Sequence, residues 1–357
     1  MSEEVLLFSD LHCHCHKRRL ERLEDCLKVL DWVFDVAEER GITNILFGGD
    51  LYHDRQKIDV YTYQRVFEVL QKRLDGKKKL YLLLGNHDLW YNDKTSVSSV
   101  VPLSSLPGVE IISEPKRIQI AGCNWDFVPF THDPIKSLEK LSELTSKPEY
   151  ALGHIAIDGA ILHGSQYSDV EIEHDGDMVT VGVGLFEHYI HTFLGHYHAE
   201  QRVNPKVEYI GSPLELSFGE AFQKKHIIAF NGKTKKKFYI SNNFSPKHLV
   251  ISIKDKDKYD LNGNFVKIKV DDIGATDLIS MRKELLESNK LGSLEIKQQK
   301  KQIEEHVIQD AKAILYKGEE MLEKYIDEVS DSSEIKLNKE QLLRVGKKIC
   351  QYSKESK

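Results

Sequence analysis

Two hydrophobic periodicities alternate along the first ninety residues. Residues 5–8, 44–47 and 80–84 are predicted strands that are apolar throughout except for Asn44, which is typical of strands buried on both faces. Residues 20–40 and 61–74 carry apolar side chains at spacings of three and four, which is the pattern of amphipathic helices, and Gly41 ends the first of them. This strand-helix-strand-helix-strand order predicts a parallel or mixed sheet covered by helices.

After Pro107 and Gly108 the pattern changes to short strands without long helices between them. The predicted strands cover residues 109–112, 117–121, 125–130, 151–155, 191–194, 207–210, 226–230 and 237–240. A single helix over residues 134–144 interrupts them, with Asp133 as its N-cap and Pro134 at its first position. We therefore predict an α/β fold in which two packed sheets, a β-sandwich, are flanked by helices.

Domain boundaries are predicted from the loss of periodicity over residues 242–247. Residues 1–245 form the main domain, and residues 246–305 give a strand, a strand, a helix over 276–288 and a strand, as in a small α/β domain. Residues 306–357 predict a helical hairpin with apolar stripes over 308–329 and 338–350. These stripes could pack on the small domain, but a groove on another chain is the favoured cover, because the domains look complete without them.

Composition and charge narrow the class of protein. The chain has 357 residues, 50 Lys and Arg against 56 Asp and Glu, and a net charge of -6, which argues against a passive nucleic-acid coat protein. A metal enzyme acting on phosphates stays possible because bound cations supply positive charge. An odd number of cysteines, five, and the lack of a signal-peptide pattern or a run of about 20 apolar residues predict a cytoplasmic protein.

Candidate metal ligands follow the predicted strands. They are Asp10, His12, Asp50, Asn86, His87, Asp88, His154, His196 and His198. Carboxylate, imidazole and amide groups suit manganese, iron or zinc in an open site better than a thiolate-rich structural zinc site. They exceed the needs of one ion, so a carboxylate such as Asp50 could bridge two ions about 3.5 to 4 Å apart in a hydrolase. Each residue alone could be a helix cap, a turn or a surface histidine, but their joint order favours the metal site.

The same segments resemble the five motifs of the calcineurin-like metallophosphoesterases. They are Phe8-Ser9-Asp10-Leu11-His12, Gly48-Gly49-Asp50-Leu51-Tyr52-His53, Gly85-Asn86-His87-Asp88, Gly153-His154 and Gly195-His196-Tyr197-His198. Within this superfamily the resemblance is closest to the Mre11/SbcD DNA repair nucleases and their phage counterparts. The Asp-Leu-Tyr-His form of the second motif and the segments Tyr209-Ile210-Gly211-Ser212-Pro213 and Leu216-Ser217-Phe218-Gly219-Glu220 distinguish this branch.

The resemblance implies a role for each residue of the site. One manganese ion would be held by Asp10, His12, Asp50 and His198, and the other by Asp50, Asn86, His154 and His196. His87 matches the catalytic histidine, His53 a second histidine that faces the phosphate, and Asp88 the partner that orients an imidazole. The cofactors are thus two divalent ions, manganese or alternatively magnesium.

The resemblance also implies an activity and partners. It implies a manganese-dependent DNA nuclease, a homodimer with 3′ to 5′ exonuclease activity on duplexes and endonuclease activity on single strands. It would process DNA ends in recombination, repair and replication. Residues 246–305 would form a DNA-capping domain, and the C-terminal helices would bind an SbcC/Rad50-type ATPase. Alternatives are a small-substrate phosphodiesterase of the same superfamily and an inactive scaffold for the ATPase.

Other segments leave two interpretations each. The loop His12-Cys13-His14-Cys15-His16 suggests a zinc knuckle but has no second half, so His14 or His16 is expected to line a DNA groove. Lys224-Lys225 and residues 233–237 either contact a phosphate backbone or protect a solvated strand edge. Trp32 and Phe34 are expected in the core, whereas Trp90 and Tyr91 are candidates for stacking on a base.

Overall fold

The computed structural model describes residues 2–15, 20–74, 76–91, 94–161, 179–271 and 273–298. The predicted helical tail over residues 306–357 and His16 lie outside the described residues. Within the described part, no helix has the length and apolar character needed to span a membrane.

The described chain contains strands and helices at nearly all predicted places. The strands are β1 Glu4–Phe8, β2 Asn44–Phe47, β3 Lys79–Leu83, β4 Val109–Ile112, β5 Lys116–Ile120, β6 Cys123–Val128, β7 Tyr150–His154, β8 Ala156–Ile157, β9 Thr180–Val181, β10 His191–Gly195, β11 Gln201–Asn204, β12 Val207–Tyr209, β13 His226–Asn231, β14 Lys236–Ser241, β15 His248–Ser252, β16 Phe265–Val270 and β17 Ser293–Gln298. The helices are α1 Leu20–Glu39, α2 Val60–Arg73, α3 Pro134–Ser142 and α4 Ala275–Ser288.

Two six-stranded mixed sheets form the main body. The first has the order β14-β13-β1-β2-β3-β4, in which β1 to β4 are parallel to one another and β13 pairs antiparallel with both β1 and β14. The second has the order β11-β12-β10-β7-β6-β5, in which β12, β10, β7 and β6 are parallel. Together with the helices, these two sheets confirm the predicted two-sheet α/β architecture.

The alternation of side chains along β1 shows how the layers pack. Leu6 and Phe8 lie in a core shared with α1 and α2, whereas Val5 and Leu7 point into the space between the sheets. There they join Trp125 and other buried aromatic side chains of the second sheet. Because both faces of β1 are covered, the strand is apolar from Val5 to Phe8, and burying each large side chain contributes roughly 1.5–3 kcal/mol.

Aspartate side chains cap two helices, one of them at the predicted place. The Asp133 side chain accepts a hydrogen bond from the Lys136 N–H of α3 at 3.0 Å, as its place before Pro134 predicted. Asp59 caps α2 by accepting from the Thr62 N–H at 2.8 Å. Both interactions satisfy donors that a helix N-terminus leaves unpaired.

A separate three-stranded sheet follows the main body. Strands β15, β16 and β17 are parallel and pack with α4 around a small core that includes Val266, Ile268, Leu285 and Leu294. This order of strand, strand, helix and strand confirms the elements predicted between residues 246 and 298. The boundaries proposed for the domains stay a prediction.

Candidate metal centre

The candidate ligands lie where parallel strands of both sheets end. Asp10 and His12 follow β1, Asp50 follows β2, and Asn86 follows β3, so the first sheet supplies four of them. The second sheet supplies His154 at the end of β7, and His196 and His198 after β10. His196 and His198 are partly exposed, whereas the other five candidate ligands are buried. The site is thus buried among the strand ends and open on one side.

One group of donors consists of Asp10, His12 and His198. Their ligand atoms all lie within 4.8 Å of one another. The Nε2 atoms of His12 and His198 face each other at 3.1 Å. Two imidazole nitrogens and a carboxylate oxygen converging at this separation suit a divalent cation.

A second group of donors meets at Asn86. The Asn86 Oδ1 atom lies 2.9 Å from His154 Nε2 and 3.1 Å from His196 Nδ1. The other ring nitrogen of His154, Nδ1, lies 2.7 Å from the Gly48 carbonyl oxygen and must donate to it, which leaves Nε2 directed at the site. Amide oxygen and imidazole nitrogen are again suitable cation ligands.

Asp50 lies between the two groups. Its Oδ2 atom is 3.5 Å from His12 Nε2 in one group and 3.4 Å from His154 Nε2 in the other. Its Oδ1 atom accepts a hydrogen bond from the backbone N–H of His87 at 2.9 Å. This arrangement fits a carboxylate shared by two cations, as the resemblance implied for Asp50.

The backbone at the site is strained. Asp10, His12, Asp50 and His196 have φ angles of 54°, 47°, 62° and 98°, and they make up four of the seven described non-glycine residues with positive φ. Such conformations cost on the order of 1–3 kcal/mol each and concentrate at functional sites. The fold therefore holds these side chains in directions that an ordinary strand end would not give them.

Two glycines are required by close approach at the site. A Cβ atom at Gly85 would overlap the Asp50 carboxylate, and one at Gly195 would overlap the Ser9 hydroxyl and the Gly48 carbonyl oxygen. Each contact is too short for any larger residue. This explains why glycine precedes Asn86 and His196 in the motifs.

The ionisable groups of the cluster perturb one another. Burial favours the protonated form of Asp50, but the imidazoles of His154 and His87 hold the pKa of Asp50 well below its usual range. Burial opposes charge on His154, yet Asp50 raises the pKa of this imidazole to about 9. Burial and the neighbouring His154 lower the pKa of His196 to about 3. Positive charge on the imidazoles thus balances the buried Asp50 carboxylate, and a bound divalent ion would take over that role.

A row of further imidazoles borders the donors. The rings of His14 and His53 stack with centroids 4.3 Å apart, and those of His53 and His87 stack at 5.8 Å. His87 Nδ1 lies 2.5 Å from the His53 carbonyl oxygen, and since a carbonyl can only accept, Nδ1 carries the proton. His53 and His87 are therefore beside the donor cluster, as predicted, with nitrogen atoms within 4.8 Å of His12. His14 shares this border.

The predicted role of Asp88 is wrong. Its carboxylate accepts backbone N–H bonds from Gly85, Asp50 and Leu51 at 2.9 to 3.0 Å and does not orient the His87 ring. Burial and the nearby Asp50 raise the pKa of Asp88 to about 7, although the three hydrogen bonds act to lower it. Asp88 fixes the loops that carry the second and third motifs.

The structure also decides between interpretations of other residues. Lys225 is 7% exposed and donates to Glu220, so it does not contact a phosphate backbone. Lys237 donates to the buried carboxylate of Glu208. Cys13 is buried, and the Cys15 Sγ atom contacts the Thr62 hydroxyl at 3.3 Å, which does not fit a zinc knuckle. Phe34 lies in the core and Trp32 packs against it, as expected.

Glu220 was missed as a site residue by the sequence analysis. Its Oε1 atom lies 2.9 Å from Nδ1 of His198, although 22 residues separate the two in the chain. The segment that contains Glu220 resembles a motif of the family branch, but the motif alone indicates no role for this carboxylate. Only the tertiary structure shows the contact.

Comparison with known proteins agrees with this geometry. The family model of the calcineurin-like phosphoesterases matches residues 4–200, more than half of the chain and a range that includes Asp50 and both donor groups. The chain belongs to this family, which confirms the superfamily implied by the motifs. It is also similar to exonuclease subunit 1 of Enterobacteria phage T4, with 26% identity over 212 residues, 58% of this chain. The match spans 59% of the length of that relative.

Proposed function

We propose that this protein is a metal-dependent nuclease that hydrolyses phosphodiester bonds in DNA. The observation that carries the proposal is the pair of donor groups that share Asp50, bordered by the imidazoles of His53 and His87. The similarity to a phage protein named as an exonuclease subunit supports DNA as the substrate.

The donor set fits two divalent cations. Asp10, His12 and His198 would hold one ion, Asn86, His154 and His196 the other, and Asp50 would contact both. Such ions, when bound, lower the pKa of a coordinated water and neutralise charge on the phosphate. We propose manganese as the bound ion, with magnesium as the alternative, because oxygen and imidazole ligands suit manganese.

His87 is proposed to protonate the leaving oxygen. Nδ1 donates its proton to the His53 carbonyl oxygen, so Nε2 is the atom that would deliver a proton to the leaving oxygen. The partly exposed ring borders His12 at a centroid distance of 4.8 Å, close enough to reach a phosphate held at the donor cluster. His53, stacked between His14 and His87, would face the same phosphate.

A cavity beside the site offers room for the nucleic acid. It has a volume of about 640 Å³ and includes Phe130, whose ring lies 6.3 Å from the rings of His154 and His196. Hydroxyl groups and one lysine line much of it, among them Lys94, Thr95, Ser96, Thr131 and Ser137. Trp90 and Tyr91 are 46% and 44% exposed just before this lysine, and they are the proposed stacking surface for a base.

Assays with several substrates test the proposal. Purified protein is incubated with labelled linear duplex, single-stranded circles and a small phosphodiester, in Mn²⁺ or Mg²⁺. We expect shortening of the duplex from its 3′ ends and nicking of the circles, with higher rates in Mn²⁺. Hydrolysis of the small substrate alone would support the phosphodiesterase alternative. Bound metal without any hydrolysis would indicate the inactive scaffold.

The partner is a finer part of the proposal. We expect residues 306–357 to bind an SbcC/Rad50-type ATPase, in a homodimeric nuclease of the cytoplasm that processes DNA ends in recombination, repair and replication. A chain ending before residue 308 should keep its activity on short single strands and lose co-purification with the ATPase. A truncated chain that bound the ATPase with undiminished affinity would contradict the assignment of the docking element.

A further inference from the structure

The two ring nitrogens of His198 face different groups. Nε2 lies 3.1 Å from His12 Nε2 in the donor cluster, and Nδ1 lies 2.9 Å from Glu220 Oε1. The other oxygen of this side chain accepts from the Lys225 ammonium and from a backbone N–H, so Glu220 is a carboxylate that can only accept. Nδ1 of His198 therefore carries the proton, and the lone pair of Nε2 is directed at the cluster.

The Glu220 carboxylate is itself held by buried donors. Its Oε2 atom accepts hydrogen bonds from Lys225 Nζ at 2.6 Å, Ser212 Oγ at 3.1 Å and Leu216 N at 3.2 Å. Glu220 and Lys225 are 5% and 7% exposed, so their charges interact with little solvent screening. One carboxylate oxygen thus contacts His198, and the other accepts hydrogen bonds from buried protein donors.

Lys225 also fixes the backbone at His198. Its Nζ atom donates to the His198 carbonyl oxygen at 2.9 Å and to Ser212 Oγ at 2.8 Å. The ring of His198 is therefore held by Glu220 and its backbone by Lys225.

We propose that Glu220, held by Lys225, is a positioning residue that fixes the orientation and the tautomer of His198 for metal binding. This inference rests on the proposed role of His198 as a metal ligand. A carboxylate behind a metal-binding imidazole also raises the basicity of the nitrogen that binds the ion. Removing it should weaken the ion held by Asp10, His12 and His198 and spare the ion at Asn86.

The small three-stranded sheet supports the segment that carries Glu220. The ring of Phe218, two residues before Glu220, packs edge-on against His248 of β15 at 5.0 Å. The Lys267 ammonium of β16 lies 4.4 Å from the centroid of the same ring. Residues 246–298 thus contribute to the metal site indirectly, through the position of Glu220.

The test variant is Glu220→Gln, measured by calorimetric titration of the full chain with Mn²⁺. We expect one of the two binding events to weaken about 10- to 100-fold and the other to stay unchanged. Long-range ¹H–¹⁵N spectra of the metal-free protein should show His198 protonated at Nδ1 in the wild type and losing this preference in the variant. A purely structural role would not change the tautomer.

The chain offers a matched control in Glu208. This buried carboxylate also accepts from a lysine, Lys237 Nζ at 2.8 Å, and lies 3.3 Å from a histidine, His191 Nε2, at the opposite end of β10 from His198. His191 is outside the ligand set, so Glu208→Gln should destabilise the fold and leave both Mn²⁺ affinities unchanged. If Glu220→Gln fails to fold, adding Lys225→Met removes the unpaired buried ammonium and restores a testable protein.

Two results would overturn the inference. One is that Glu220→Gln binds both ions with wild-type affinity, and the other is that Glu208→Gln weakens the same ion equally. The titration contains no DNA, so its outcome is independent of the proposed nuclease activity. Wild-type protein that binds two ions and cleaves no DNA would refute the function and leave the role of Glu220 intact.

Discussion

Replacing His87 by glutamine separates proton transfer from metal binding. In the structure, Asp50 contacts the backbone N–H of His87 at 2.9 Å, and any residue at this position keeps that contact. The side chain contributes its hydrogen bond to the His53 carbonyl oxygen and its contact with the His12 ring. A glutamine amide can still donate to the carbonyl but cannot deliver a proton to a leaving oxygen. We therefore expect unchanged Mn²⁺ binding and DNA binding.

The expected loss is confined to hydrolysis. Removing a positioned general acid typically lowers the rate by about 10² to 10⁴, which corresponds to roughly 2.7 to 5.4 kcal/mol of transition-state stabilisation. The measurement is single-turnover cleavage of a labelled single strand at saturating Mn²⁺, together with titration of the metal. His188→Gln is the matched control, because His188 is an exposed histidine outside the ligand set, and its ring packs on Tyr189 with a centroid distance of 3.9 Å.

The reasoning would be refuted by a loss of metal. If His87→Gln bound fewer ions than the wild type, His87 would be a ligand and not a proton donor. A variant that kept full activity would show that the leaving oxygen needs no acid from this position.

Three further predictions concern metal and DNA. Asp50→Ala should lose both ions and His198→Ala chiefly one, by mass spectrometry of metal content; two ions retained without Asp50 would exclude a shared carboxylate. The pKa of His154 is raised to about 9, so binding must displace its proton at neutral pH, and Mn²⁺ affinity should rise by up to about tenfold per pH unit towards pH 9. Titration in buffers of different ionisation enthalpy measures this release, and none at pH 7 would contradict the assignment. Trp90→Ala or Tyr91→Ala should weaken single-strand binding in anisotropy assays by about 1–3 kcal/mol per lost stack, with unchanged metal content; undiminished DNA affinity would rule out the stacking role.

The strands of the fold were predictable where burial makes them apolar. Both faces of β1 and β2 are covered, so each strand is apolar after its first residue and stands out from the helices. Strand β11 was missed because it is an edge strand, and its residues Gln201–Asn204 are mostly polar and at least partly exposed. Strands β8 and β9 have two residues each, too few to show any periodicity.

The candidate ligands were predictable for a related reason. Asp10 and Asp50 are polar residues that directly follow buried strands, and parallel strands bring such positions to one edge. The hydrogen bonds behind them were not predictable, because they depend on the direction of each side chain. Asp88 and His87 are neighbours on one turn of 3₁₀ helix, yet their side chains have different partners. The contact of Glu220 with a histidine 22 residues away requires the complete fold.

The division of the donors between the two sheets has a consequence for how the chain would acquire divalent cations. Strand ends of the first sheet supply donors up to Asn86, whereas His154, His196 and His198 come from the second. A nascent chain would expose the early motifs long before β10 is synthesised, and those motifs alone hold only a partial set of ligands. Tight binding must wait until both sheets have docked, and ions that bind only this state stabilise it by roughly 4 kcal/mol at a thousandfold excess over Kd. The cations would therefore bind after folding and stabilise the folded chain, and they would not direct its folding.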